Sequence, residues 1–147
     1  MRDVVIDASV VLRWAFDDED DRGGAVGIVE GLLLGHFRAI CPVTFLPEVA
    51  GVLVRAVRAE RISRDGAQAV MAALTKVAID EADVRENAGA AMTIALAYGL
   101  HLQDATYLET AYRAGAILVS GDDAQLRAAR QMGLTAFALD EVPALGG

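Results

Sequence analysis

Cysteine is nearly absent from this chain: Cys41 stands alone among 147 residues. A single thiol excludes an intrachain disulfide and any cluster of cysteine metal ligands, and a buried structural thiol is expected. Histidine is almost as scarce, and His36 and His101 lie far apart with no metal-ligand spacing. Lysine occurs once, at Lys76. Three prolines are too few for a proline-rich linker, and neither a repeat nor a low-complexity tract interrupts the chain. One domain over residues 1–147 is therefore expected. No apolar run approaches the roughly 20 residues that span a bilayer. The first strand begins at the N-terminus and leaves no room for a signal peptide, so a cytoplasmic protein with no membrane attachment is expected. Positive charge is short as well. A formal net charge of −8 argues against a general nucleic-acid coat, which needs broad positive potential to neutralise phosphates. It leaves room for an acidic site bridged to phosphate by metal ions, because a divalent cation inverts the local charge.

What the chain has in quantity is apolar surface. Hydrophobic residues make up 54% of it, enough for an ample core and too much for disorder. Strands are expected at 3–7, 38–42, 76–79, 116–120 and 135–139. Between them, helical spacing of apolar residues predicts helices near 22–36, 44–62, 84–98, 104–114 and 123–132. Gly99 reads as the residue that closes the third of these helices, and Gly115 and Gly133 as the stops of the next two. Strands alternating with helices mean an α/β fold with a parallel sheet covered on both faces. In such sheets ligands bind beyond the carboxyl ends of the strands.

Four acids fall there. Asp7 ends the first strand, Glu48 opens the helix after the second, Asp104 opens a later helix, and Asp122 follows the fourth strand. Three have structural explanations. Asp122 fits an N-cap, with Gln125 three residues on completing a capping-box pattern. Asp104 fits a cap too, and Glu48 suits the positive end of a helix dipole. Asp7, at the end of a buried strand, has no such explanation, and burying a carboxylate costs several kcal/mol unless it is compensated. Four carboxylates brought together would repel and raise one another's pKa. Divalent Mg²⁺ or Mn²⁺, which prefer hard oxygen ligands, would resolve both problems.

The stretches "VVIDASVVLRW" (4–14), "PEV" (47–49), "LQDATYLETAYRAGAILVSGDD" (102–123) and Q-M-G-L (131–134) resemble the PIN domain, most closely the VapC toxins of VapBC toxin–antitoxin pairs. The resemblance covers nearly the whole chain. It implies a PIN-like three-layer α/β/α domain with a central four- to five-stranded parallel sheet. It further implies Mg²⁺-dependent RNA cleavage, a homodimer, and inhibition by a VapB-type antitoxin. Asp7, Glu48, Asp104 and Asp122 match the family's acidic quartet. Ser120 matches a hydroxyl position two before the last acid, and Ser9 one two after the first. Many relatives carry asparagine three residues after the glutamate, where this chain has Gly51. Asp123 adds an acid beside Asp122, but the motif register favours Asp122.

In this reading Asp7 and Asp104 are the primary metal ligands, Glu48 and Asp122 complete the site, and one carboxylate serves as general base to the attacking water. Rival readings fare worse. A haloacid-dehalogenase-like phosphatase needs a second aspartate where Ser9 stands, and a receiver domain needs an acid pair and a lysine that are missing. A PIN-like binding module without catalysis does not account for four retained acids. Three arginines are candidate RNA contacts: Arg13, and Arg55 and Arg58 in the row Arg55, Arg58, Arg61, Arg64. Arg55, seven residues after Glu48, falls on nearly the same side of its helix. The run "DDEDD" (17–21) reads as a solvated loop. Gly23, Gly27, Gly31 and Gly35 recur every fourth residue; the stripe marks either an exposed, poorly formed helix in a glycine-tolerant chain or a face that lets an antitoxin segment or second protomer approach closely.

Overall fold

The computed structural model describes residues 2–16 and 22–145; the acidic run 17–21 lies outside the described residues. Five strands, β1 (Arg2–Ile6), β2 (Phe37–Pro42), β3 (Ile79–Ala82), β4 (Ile117–Ser120) and β5 (Ala136–Ala138), form one sheet in the order β3-β2-β1-β4-β5. Every pairing is parallel. Because both faces are covered, the central strands bury consecutive residues instead of alternating: Val4, Val5 and Ile6 in β1, Leu118 and Val119 in β4. Each such side chain contributes roughly 1.5–3 kcal/mol by leaving water.

Among the described residues, seven helices connect them: α1 (Ala8–Ala15), α2 (Arg22–Leu33), α3 (Phe45–Arg58), α4 (Arg64–Leu74), α5 (Ala88–Tyr98), α6 (Leu102–Ala114) and α7 (Asp123–Gln131), followed by a 3-10 segment, Leu139–Leu145. The chain starts mid-sheet, moves outward through β2 to β3, then returns to β4 and β5 on the other side of β1. Right-handed crossovers in opposite directions put their helices on opposite faces. α6 packs across β1, β2 and β4 with α5 outside it, α7 packs on β4 and β5, and α2 packs on β2 and α1. The result is a three-layer α/β/α domain. The reversal lies between β1 and β4, where the loops leaving neighbouring strands diverge and open a crevice.

Several expected elements shift. β1 ends at Ile6, one residue early, because Asp7 occupies the N-cap position of α1. The expected helix 44–62 stops at Arg58 and the chain reverses through Glu60 at φ 58. A further helix, α4, follows, capped by the Ser63 hydroxyl accepting from the Gly66 N–H. The row of arginines is therefore not one track: Arg55 and Arg58 lie on α3, Arg64 opens α4, and Arg61 lies between them over the Phe16 ring. The third strand is Ile79–Ala82, not 76–79; Val77 is buried ahead of it. The helix expected from 84 begins at Ala88, and α6 begins two residues before 104.

The glycine stripe has an intrachain explanation. A Cβ on Gly31 would fall 2.4 Å from the Phe37 ring, and one on Gly27 3.9 Å from Val142. The closest backbone approach is at Gly24, outside the stripe, where a Cβ would meet the Leu139 carbonyl. Gly35 lies beyond the end of α2. The chain's own C-terminal 3-10 segment packs against α2, while a Cβ on Gly23 would meet nothing within 4 Å.

Candidate active site

Asp7 holds the N-cap position of α1 yet makes no capping bond with its side chain. The carboxylate turns inward instead and is only 5% exposed. Ser9 donates its hydroxyl to Oδ1, and Ser120, fully buried, donates to Oδ2 at 3.3 Å. Each hydroxyl also accepts a backbone N–H from the turn after β4: Gly121 donates to Ser9 at 3.1 Å, and Asp122 donates to Ser120 at 3.0 Å. With a lone pair engaged on that side, each serine proton is directed at Asp7. The two serines thereby lock the β4–α7 turn to the end of β1. Burial nevertheless dominates and pushes the Asp7 carboxyl up to about 6; the serine bonds pull it down, and Asp104 and Asp122 push it further up.

The remaining acids are held separately. Glu48, in the first turn of α3, accepts a 2.6 Å hydrogen bond from the buried Tyr107 phenol. Burial first, and then this bond, drive the Tyr107 hydroxyl far above its ordinary range, so it remains a donor. Asp104, in the first turn of α6, has its pKa raised by burial and then by Asp122. Asp122 caps α7 by accepting the Gln125 N–H at 2.9 Å. Only half of the expected capping box forms. The Asp122 N–H is already taken by Ser120, and the Gln125 side chain donates instead to the Asp104 carbonyl at 3.1 Å.

Asp7, Glu48, Asp104 and Asp122 line one cleft of about 730 Å³ beyond the carboxyl ends of the strands. Asp123 is exposed and lies off its wall. Glu109 also lines the cleft, but Arg113 neutralises it at 3.1 Å. None of the four has an ion-pair partner among the described residues. No three His, Cys, Asp or Glu side chains among the described residues stand close enough to grip one ion as they are. The donor set nonetheless fits a divalent cation: all hard oxygens, none of them ion-paired among the described residues, with lone pairs left on both oxygens of Asp7.

The three candidate arginines separate. Arg55 lines the cleft. Arg58 lines a different groove, between α3 and α4. Arg13 packs against Gly121, donating to its carbonyl at 3.3 Å, and a Cβ at Gly121 would fall 2.7 Å from the guanidinium carbon. It braces the turn that carries Asp122. Sequence reasoning missed Tyr107 and the true role of Gln125. The first was detectable, since Tyr107 lies three residues after Asp104 on the same helix face; nothing in the sequence pointed Gln125 at Asp104.

Solved structures share this architecture. PAE2754 from Pyrobaculum aerophilum superposes with a TM-score of 0.71 at 17% identity, covering 98% of this chain and 96% of that one. VapBC2 from Rickettsia felis, bound to a DNA fragment from its promoter, gives 0.64 at 14% identity, with 92% and 98% covered. FitAcB from Neisseria gonorrhoeae gives 0.59 at 12%, with 92% and 97% covered. No curated protein matches the chain. Residues 4–131, which carry all four acids, match the PIN domain profile. The chain belongs to the PIN domain family.

Proposed function

We propose that this protein is a Mg²⁺- or Mn²⁺-dependent endoribonuclease acting as the toxin of a VapBC-type toxin–antitoxin pair. The observation that carries the reading is Asp7: a buried carboxylate with no cation partner among the described residues, sharing its cleft with three further acids. Asp7 and Asp104 would be the primary ligands, with Glu48 and Asp122 completing the site. A cation bound there supplies charge neutralisation at the phosphodiester and acidification of water. Ser9 and Ser120 fix the orientation of Asp7, Tyr107 fixes that of Glu48, and Arg55 reaches toward substrate phosphate. One cleft carboxylate takes the proton of the attacking water, and hydrolysis leaves 5′-phosphate and 3′-hydroxyl ends.

An antitoxin partner and a homodimer belong to the same reading. The likeness to VapBC2 and FitAcB supports the antitoxin partner, and the exposed apolar side chains Met92, Leu96, Leu102 and Tyr112 on α5 and α6 offer surface for either assembly. No helix among the described residues is long and apolar enough to cross a membrane. The test is direct. Purified protein should cut RNA in Mg²⁺ or Mn²⁺, stop in EDTA, and lose activity in Asp104→Asn. Cleavage by that variant at the wild-type rate would overturn the site, and cleavage of DNA in preference to RNA would overturn the substrate.

A further inference from the structure

Among the described residues, Gln125 is the largest fully buried polar side chain outside the acidic set. It sits in the first turn of α7, three residues after Asp122. Its backbone N–H holds the Asp122 carboxylate at 2.9 Å, while its side-chain Nε2 reaches across to the Asp104 carbonyl at 3.1 Å. One residue therefore grips two acids that arrive on different helices, through the side chain of one and the backbone of the other. Its Oε1 is buried with no hydrogen-bond partner among the described residues. An orphaned buried acceptor is unfavourable, and an apolar side chain of the same shape would avoid it. The amide is retained despite that penalty, so its value lies in the donor that faces α6.

The connections extend further. The Asp122 N–H bonds Ser120, and Ser120 bonds Asp7. Asp7, Asp122 and Asp104 are thus joined in one continuous chain of hydrogen bonds, in which Gln125 is the link to α6. Asp104 and Asp122 carry like charge and repel one another. Without a tie, the two helix N-termini are free to separate under that repulsion.

We propose that Gln125 is a positioning residue that sets the separation of Asp104 and Asp122 and thereby the affinity of the cleft for a divalent cation. This rests on the metal-site reading given above. It touches neither the cation nor the substrate. Groups that orient metal ligands from behind typically change metal affinity about 10–100-fold when removed.

The experiment measures Mn²⁺ binding by electron paramagnetic resonance in the absence of RNA, together with thermal unfolding in EDTA. Gln125→Met and Gln125→Leu both keep the volume and remove the donor. The expected result is a dissociation constant for Mn²⁺ raised about tenfold, with an unfolding midpoint in EDTA no lower than that of wild type, since the orphaned oxygen goes too. A merely structural residue would lose stability and affinity together. Wild-type affinity in either folded variant overturns the proposal and leaves the metal-site reading standing. Failure of both variants to fold overturns it as well, making Gln125 a core residue. Absence of Mn²⁺ binding by wild type removes the metal-site reading, and this inference with it.

Discussion

Asp3 and Asp7 mark the two ends of one strand, and the protein treats them in opposite ways. Asp3 meets the Arg38 guanidinium in a two-pronged pair, with Nε on Oδ1 and Nη2 on Oδ2, both at 2.8 Å. That hydrogen-bonded partner, more than any other influence, holds its carboxyl below the ordinary value, and the pair sits at the surface. Asp7 is buried, has only serine hydroxyls for company, and its carboxyl rises to about 6. A chain that needed Asp7 only for its fold had an arginine solution available at the other end of the same strand. In the metal-site reading proposed above, Asp7 is left without one because its partner is a bound cation.

The sharpest break between the two is catalytic. Asp7→Asn should lower RNA cleavage at least about a hundredfold, the scale seen when a group stabilising developing charge is removed. Asp3→Asn should cleave at the wild-type rate. Equal losses in the two, read from initial rates on one RNA substrate, would erase the distinction.

Proton linkage gives the next largest effect. Burial raises the folded-state pKa of Asp7 from the ordinary 3.8 to about 6, so between those values the folded protein binds the extra proton. The stability of metal-free protein is therefore greatest below that window and is lost as pH rises through it. A shift of this size corresponds to roughly 3 kcal/mol. Asp3, with its carboxyl lowered, contributes in the opposite direction, losing its contribution as pH falls through the carboxylate range. Denaturant unfolding in EDTA from pH 4 to pH 7 checks this: the difference between Asp7→Asn and wild type should grow with pH. A constant difference would mean that Asp7 is not strained by its charge.

Smaller effects sharpen the picture around the cleft. Tyr107→Phe removes the only side-chain hydrogen bond to Glu48 among the described residues. It should reduce kcat about tenfold, equivalent to about 1.4 kcal/mol, with little change in KM for RNA; an unchanged kcat would show that Glu48 needs no such support. Arg55→Ala should reduce the slope of log affinity against log salt by about 0.7, the contribution of one single-strand phosphate contact. Arg58→Ala, which lies off the cleft, should leave the slope alone. Least of all, Cys41 should not react with thiol reagents in the folded protein. It is fully buried, donates to the Ile6 carbonyl at 3.5 Å, and burial pushes its pKa up to about 12.

How much was legible in the sequence followed from how far each signal is local. The buried strands β1 and β4 announced themselves as apolar runs, and the helix-closing glycines Gly99 and Gly115 do adopt the positive φ values, 67 and 63, that glycine tolerates best. α1 went unseen because Val10 and Val11 continue the β-branched character of β1, and only the reversal at Asp7 separates them. β3 was misplaced because it is an edge strand, pairing with β2 alone, and its sequence IDEA needs little apolar content. The apolar Val77 drew the assignment toward itself. Within the site, the acids could be found because their positions beyond strand ends are set by chain order. The Tyr107–Glu48 bond spans 59 residues and the Gln125–Asp104 bond spans 21. Such partners depend on how helices dock, and no local pattern encodes that.

The central claim is that a divalent cation compensates Asp7, and thermal unfolding tests it most directly. A ligand that binds only the folded state stabilises by about 2.7 kcal/mol at a hundredfold excess over its Kd, or roughly 5–10 °C in Tm for a domain of this size. Wild type and Asp3→Asn should both gain that much in saturating Mn²⁺. Asp7→Asn should start higher than wild type in EDTA and gain little. An equal gain in wild type and Asp7→Asn, or no gain in wild type, would contradict the claim.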